Sequence, residues 1–312
     1  MKSRITLKDV AREAGVNFTL VSKYLTANPQ TRMTDETRER IKRAIRKLDY
    51  RPSAAARALR YGRSKAIGLV VGDLTNAYYA HIANLALKEL RPRDYQLLIA
   101  LESPDYDPVQ SLLSREVDGI IYAGAGKPPC GMQIPVAVND RHIAGACEIN
   151  LDISGALAYA MENLKGKTLG LFFEHSLWIK AFEACAKRLG INADVEILPT
   201  PPDERFAMLE RIAKTKPDAV FASGWLTLRA MRKIGGFGKI FAHANCAGSF
   251  LNGENVAGAI FSSTTELIEK TCRAIVGQIE SGERVSEKIH TRYVSAESEE
   301  FGGLASGDFR LT

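Results

Sequence analysis

Cysteine is scarce and scattered in this chain: five residues, at positions 130, 147, 185, 246 and 272, an odd number with no C-x-x-C pair. That pattern excludes a disulfide framework and a sulfur-rich metal site, and reads as thiols serving as small core residues in a reducing compartment. The five histidines, at 81, 142, 175, 243 and 290, fall at no metal-ligand spacing, and each is read as a surface or cleft residue. Long apolar runs are missing too. No stretch of about 18 uncharged apolar residues is present, so nothing is expected to span a membrane. The opening "MKSRITLKDV" has no apolar h-region, and the expected compartment is the cytoplasm. Without a secretion signal, the sequon Asn17-Phe18-Thr19 is read as coincidence. Catalytic signatures are also wanting. The stretches "GAGK" (124–127) and "GGFGK" (235–239) resemble phosphate loops but complete neither G-x-x-x-x-G-K-[ST] nor G-x-G-x-x-G. There is no nucleophile elbow and no evident set of acid, base and nucleophile. The expectation is a protein that is not an enzyme, with no cofactor and no metal.

What the chain does have is length, an ordinary globular composition and an uneven charge. Its 312 residues suffice for two or three domains, and 46 % are hydrophobic and 25 % charged. Residues 1–65 carry 17 Lys and Arg against 6 Asp and Glu, a balance of +11, whereas the remainder carries 25 against 30, a balance of −5. A small basic head on a faintly acidic body is the footprint of phosphate-backbone binding. It would also suit a membrane surface or an acidic partner, so charge alone does not choose.

Periodicity carries the argument further. Thr6 stands where it can cap a first helix, with Asp9 favourably placed in the first turn and Val10, Ala11 and Ala14 forming one apolar stripe. Gly15 falls where a left-handed residue would end that helix, with Val16 turned back to the core. Asn17 caps a second helix whose buried residues would be Val21 and Leu25. Two short helices joined by a glycine turn make a helix-turn-helix, whose second helix enters the major groove by its N-terminal end. Here that end offers Phe18, Thr19, Ser22 and Lys23. Thr34 starts a third helix, and Ile41, Ala44, Ile45 and Leu48 close a three-helix core. Helix–glycine–helix pairs also occur in proteins that never meet DNA, and a basic face can be merely solvated.

Beyond Tyr50, "RPSAAARALRYGRSK" allows a helix of about eight residues from Ser53 to Arg60, too short to hold by itself in water. It would form only against a partner; the alternative is a linker with one helical turn. Arg57, Arg60, Arg63 and Lys65 suit a phosphate partner, and Leu59 has no obvious core to enter. From residue 66 the pattern becomes strand and helix in alternation. "AIGLVVGD", "YQLLIAL", "VDGIIYAG", "IPVAVND", "TLGLFF", "DAVFASG" and "GKIFAHA" read as strands, with a helix from Tyr79 to Leu90. Such runs imply doubly wound parallel sheets, whose ligands sit beyond the strand C-termini.

The chain from "TLKDVAREAGV" through Val21-Ser22 and "TRERIKRAIRKLDYRP" to "ARALRYGRSKAIGLVVGDLTNAYYA" resembles the LacI/GalR family of bacterial transcription regulators over residues 5–80. The resemblance implies an all-α helix-turn-helix DNA-binding domain at 1–50, a hinge helix or linker at 51–65, and an α/β effector-binding and dimerisation domain at 66–312. It further implies two subdomains like those of periplasmic binding proteins, one of residues 66–165 and 264–288, the other of 166–263 and 289–312, with crossings near Lys165, Ser263 and Lys288. Phe18, Thr19 and Lys23 would read bases, while Thr6 and Ser22 hold phosphates. Leu59 would wedge into the minor groove, with Ala56 its close-packing neighbour and Arg57 beside the backbone. The implied partners are a homodimer mate, double-stranded operator DNA and a small-molecule effector.

The chain departs from the family in its effector half. Trp178 stands where an arginine commonly grips the effector, Gly224-Trp225 replaces an Asn-Asp pair, and the family's late acid aligns with Ala244 or Asn245. Leu20 and Ser53 replace residues common in the head and hinge. The segment between "DGIIYAG" and "IPVAVND" is short for the usual helix. Two expectations follow for the cleft. Either Trp178 and Trp225, with Tyr78 and Tyr79 opposite and Asp140 to fix a hydroxyl, wall a pocket for a sugar face or another flat ligand. Or the indoles fill the cleft and no small molecule enters.

Overall fold

The computed structural model describes residues 5–25, 32–50, 62–103, 105–124, 126, 131–162, 164, 166–173, 176–199, 201–244, 255–298 and 300–301, the side chains of Ser223, Trp225 and Ala244 excepted. It divides into two compact units, Met1–Ser64 and Lys65–Thr312. Within the first, the described helices are α1 (Leu7–Ala14), α2 (Phe18–Leu25) and α3 (Asp35–Lys47). Their starts and stops follow from single residues. Thr6 and Asp9 form a reciprocal capping box, and Gly15, at φ +63°, closes α1 with its amide on the Ala11 and Arg12 carbonyls. The Asn17 side chain accepts from Thr19 N at 2.8 Å and opens α2, as Thr34 opens α3. Val10, Ala11, Ala14, Val21, Ile41 and Ala44 make the core between the three helices. A Lys47–Glu13 pair at 2.7 Å ties α3 to α1 across the surface.

The second unit alternates β1 (Ala66–Val71), α4 (Ala77–Leu90), β2 (Gln96–Leu101), α5 (Pro108–Leu113), β3 (Gly119–Tyr122), β4 (Val136–Asn139) and β5 (Cys147–Asp152). There follow α6 (Ser154–Met161), β6 (Thr168–Phe172), α7 (Trp178–Leu189), β7 (Ala193–Ile197), α8 (Pro202–Lys214), β8 (Ala219–Ser223) and α9 (Trp225–Ile234). The chain continues as β9 (Lys239–Ala244), β10 (Val256–Ser262), α10 (Thr264–Ser281) and β11 (Ser286–Ser295). The strands lie in the order β2-β1-β3-β4-β5-β11-β10-β9-β8-β6-β7. Strand β11 serves two half-sheets. Ser286–His290 run parallel to β5, and Thr291–Ser295 run antiparallel to β10. The change of partner thus falls between His290 and Thr291, two residues beyond the expected Lys288. The return at Ser263 is a helix cap, its hydroxyl accepting from Glu266 N. Lys165 lies outside the described residues.

One apolar core, with Ile67, Leu69, Ile149, Phe172, Phe182, Phe221 and Cys272 among its members, runs under both half-sheets. Two smaller clusters cover the opposite faces. Cys147, Cys185 and Cys272 are buried free thiols within the fold. Besides β11, three strands escape the seven apolar runs of the sequence. In β5 the run "CEINLD" alternates polar and apolar residues, β7 is an edge strand, and β10 carries a glycine. That glycine, Gly258, leaves room for the Tyr293 ring, whose hydroxyl donates to the Ala257 carbonyl at 3.1 Å. Between β3 and β4 the described residues contain no helix.

Candidate nucleic-acid interface and effector cleft

In the head, the N-terminal turn of α2 faces solvent. Phe18 is 47 % exposed, which is unusual for so large an apolar side chain, and Lys23 is exposed one turn further on. Thr19 is half-buried. Ser22, expected among the phosphate contacts, is only 8 % exposed and shares the inner side of α2 with Val21. Thr6 is exposed but engaged, its hydroxyl donating to Asp9 Oδ2 at 2.6 Å and its amide to the same oxygen at 2.9 Å. These bonds hold the Asp9 carboxyl below its ordinary pKa. Ala56, Arg57 and Leu59 lie outside the described residues.

In the body, the C-terminal ends of β1 to β4 gather a second set of groups. Asn76 caps α4 by accepting from Tyr78 N at 3.0 Å, which sets Tyr78 and Tyr79 side by side with ring centroids 5.5 Å apart. Tyr79 lies across Gly72, where a methyl group would come within 2.8 Å of the ring. Burial pushes its hydroxyl up to about 12, with the charges of Glu102, Arg141, Arg205 and Asp73 around it. Tyr122 donates to Glu102 Oε1 at 2.5 Å, and Gly126 N donates to the same oxygen at 3.0 Å. Arg141 reaches the carbonyls of Gly124 at 2.5 Å and Gly126 at 2.8 Å, and its guanidinium stands 5.4 Å from the Tyr122 ring centre.

Asp140, in the left-handed region at φ +51°, accepts from Leu151 N at 2.8 Å through its carboxylate and from Leu177 N at 3.3 Å through its carbonyl. Desolvation raises its carboxyl to about 6 against the pull of Leu151 N and Arg141. The Leu177 contact joins the start of α7, in the second half-sheet, to the first. Arg205, on α8, lies over the Phe173 ring at 5.4 Å.

Trp178 does not wall an open pocket. Its side chain is 4 % exposed, 4.4 Å between ring centres from His243 and 6.3 Å from Phe172. His243, expected at a surface or cleft, is buried there too, with Nε2 3.2 Å from Ser262 Oγ, and burial lowers its pKa to about 4. An indole at the first residue of α7 finds its lowest free energy in the core beneath the helix, where Phe172 and Phe182 already meet. The backbone of Trp225 opens α9, while Asn245 lies outside the described residues. The structure thus sets Tyr78 and Tyr79 beyond β1 and Asp140 beyond β4, on the C-terminal edge of one half-sheet, and places Trp178 inside. Glu102, Tyr122, Arg141 and Arg205 were missed in the sequence; charged or hydroxyl residues at strand C-termini are the signal for the first three, whereas Arg205 lies on α8 and carries no such mark. Among the described residues no three His, Cys, Asp or Glu side chains converge, and no helix is long and apolar enough to cross a membrane.

A helix-turn-helix head thus precedes a doubly wound α/β body of two half-sheets. Residues 6–53 match the model "Bacterial regulatory proteins, lacI family", so the likeness to that family is carried by the head. It is 40 % identical over 127 residues to the "Catabolite repressor/activator" of Escherichia coli strain K12, an alignment covering 39 % of this chain and 38 % of that protein. The match therefore spans well under half the length of that relative. The "HTH-type transcriptional regulator PtxS" of Pseudomonas plecoglossicida is 28 % identical over 262 residues, 76 % of each chain. Among solved structures, the Lac repressor dimer bound to operator and the anti-inducer ONPF superposes with a TM-score of 0.72 at 16 % identity, covering 94 % of this chain and 98 % of that one. At that identity the likeness is one of fold.

Proposed function

We propose that the chain is a sequence-specific DNA-binding transcriptional regulator of the cytoplasm, a repressor that binds a palindromic operator as a homodimer and answers to a small molecule in the body. The observation that carries this reading is the α2 N-terminus. An exposed Phe18, a half-buried Thr19 and an exposed Lys23 stand on a capped, glycine-turned helix pair within a head of net charge +11. A second copy has a natural place on the first half-sheet. Edge strand β2 leaves Ile99 and Leu101 exposed, and α4, which packs on β2, leaves Leu87 exposed. Two heads about one duplex turn apart would then demand a roughly palindromic site.

In the body, Tyr78, Tyr79 and Asp140 are the proposed effector contacts, a sugar or related metabolite being the ligand class. The burial of Trp178 supports a cleft filled on its second side, with the remaining polar groups on the first. In the connector, Leu59 is the proposed minor-groove wedge, with Ala56 and Arg57 beside it.

Selecting bound duplexes from a random pool with the full chain tests the whole proposal, and recovery of no common motif would refute it. On the recovered site, Leu59→Ala should lose about 10- to 100-fold in specific affinity and little on random duplex. Equal losses on both would remove the wedge. Lys23→Ala should change the selected bases, whereas Arg63→Ala should weaken every sequence alike and lower the salt slope by about one. Gel-shift titrations at three salt concentrations read all of these.

A further inference from the structure

Resting on the effector reading of the body, we propose that Tyr122, Gly124 and Gly126 form an anion cradle. The chain fills it with its own Glu102 carboxylate, and an anionic effector, a phosphate ester or a carboxylate, enters by displacing that group. The stretch "GAGK" falls short of a phosphate-loop motif, yet its Gly126 amide meets an internal anion as the amides of such loops meet phosphate. Gly126 N–H and the Tyr122 hydroxyl converge on Glu102 Oε1 at 3.0 and 2.5 Å. Both glycines are required by this approach. A methyl on Gly126 would lie 2.8 Å from that oxygen, and one on Gly124 would overlap the carboxylate. The hydroxyl of Tyr122 belongs to a residue only 3 % exposed.

The cradle does not owe its shape to Glu102. The Arg141 fork grips the Gly124 and Gly126 carbonyls, so it fixes these two glycines and brings a positive charge to the same place. Glu102 itself is the first residue beyond β2, its amide donating to the Val71 carbonyl at 2.9 Å. It therefore reaches the two glycines from a neighbouring strand end, at the edge where doubly wound sheets take their ligands. Arg205, which shares the surroundings of Tyr79 with Arg141 and Glu102, supplies a second cation from the other half-sheet. A tethered carboxylate outcompetes a bare ion. The effector must therefore bring a body that makes further contacts, and wild-type protein should ignore inorganic phosphate.

The test uses the full chain, thermal melts of the body transition, and inorganic phosphate against chloride at matched ionic strength. Glu102→Ala should melt below wild type and regain about 3–6 °C in phosphate at ten times its Kd, while wild type moves by less than about 1 °C. Adding Tyr122→Phe to that variant should abolish the recovery. If Glu102→Ala folds poorly, Glu102→Gln keeps the shape, drops the charge and should give a smaller recovery of the same kind. Variants that respond to phosphate no more than wild type would overturn the cradle. Operator affinity is read on the same samples without phosphate. Intact DNA binding with no phosphate response sinks the cradle alone, and phosphate recovery without DNA binding in any sample upholds the cradle while sinking the regulator reading.

Discussion

Replacing Ile41 by alanine should unfold the head while leaving the melting of the body in place. Ile41 is fully buried at the centre of α3, in a core shared with Val10, Ala11, Ala14, Val21 and Ala44, all but two of them small. Removing a buried isoleucine side chain costs about 2–5 kcal/mol, more where the surroundings cannot collapse. A unit of roughly 60 residues buries a smaller share of its surface than a large domain and holds only a few kcal/mol of stability. The loss is therefore comparable with everything the head has. A calorimetric scan should show the low-temperature transition broadened or gone, and gel shifts should show at least tenfold weaker operator binding. The body, which shares none of these contacts, should melt as before. Ile41→Val, which leaves most of the volume, should cost about 1 kcal/mol and keep DNA binding within a few-fold. Wild-type amide protection in Ile41→Ala would mean that the head draws its stability from somewhere other than this core.

The head was legible because each of its signals is local. Thr6, Gly15, Asn17 and Thr34 act on the backbone within four residues of themselves, and the apolar stripe of α3 has the period of the helix it belongs to. Most of the body's strands were legible for a related reason, since a strand buried on both faces, such as β1, reads as an unbroken apolar run. The missed strands lack that run. The alternation in β5 reflects partial exposure, and the Ala193–Ile197 edge has only one neighbour to demand apolar residues. The site was less legible because its geometry is non-local. Glu102, Tyr122, Gly126 and Arg141 come from three strand ends and one loop, and no spacing in the sequence says that they meet. Trp178 shows the opposite failure. Its alignment with an effector-gripping arginine suggests a cleft, but the aromatic chain of Phe172, Phe182 and His243 behind it offers the indole a better partner than solvent or ligand.

Between pH 6.5 and 4, His243 and Asp140 should pull the stability of the body in opposite directions, and single substitutions should expose each of them. His243 is neutral in the fold, with a pKa lowered to about 4 by burial against Trp178. As pH falls through about 6.5, the unfolded chain takes up a proton that the folded chain refuses, so stability declines until about pH 4. Asp140 works the other way. Its carboxyl, raised to about 6 by desolvation, takes a proton in the fold well before the unfolded chain does near 3.8. The stability it contributes is complete below about 3.8 and is lost as pH rises through 6. Each shift corresponds to at most about 3 kcal/mol, and less for Asp140, whose residue is only half-buried. In wild type the two nearly cancel across this window. Asp140→Asn keeps an acceptor for Leu151 N and suits the left-handed backbone, so it should leave the His243 effect bare, and the urea midpoint should drop more steeply than wild type on acidification. His243→Phe should instead gain midpoint relative to wild type between pH 6 and 4. The charged groups common to all three proteins cancel in these differences, which isolates the pair. Parallel midpoint curves for the three proteins would mean that neither group titrates abnormally in the fold, and that the packing of Trp178 on His243 does not keep the imidazole dry.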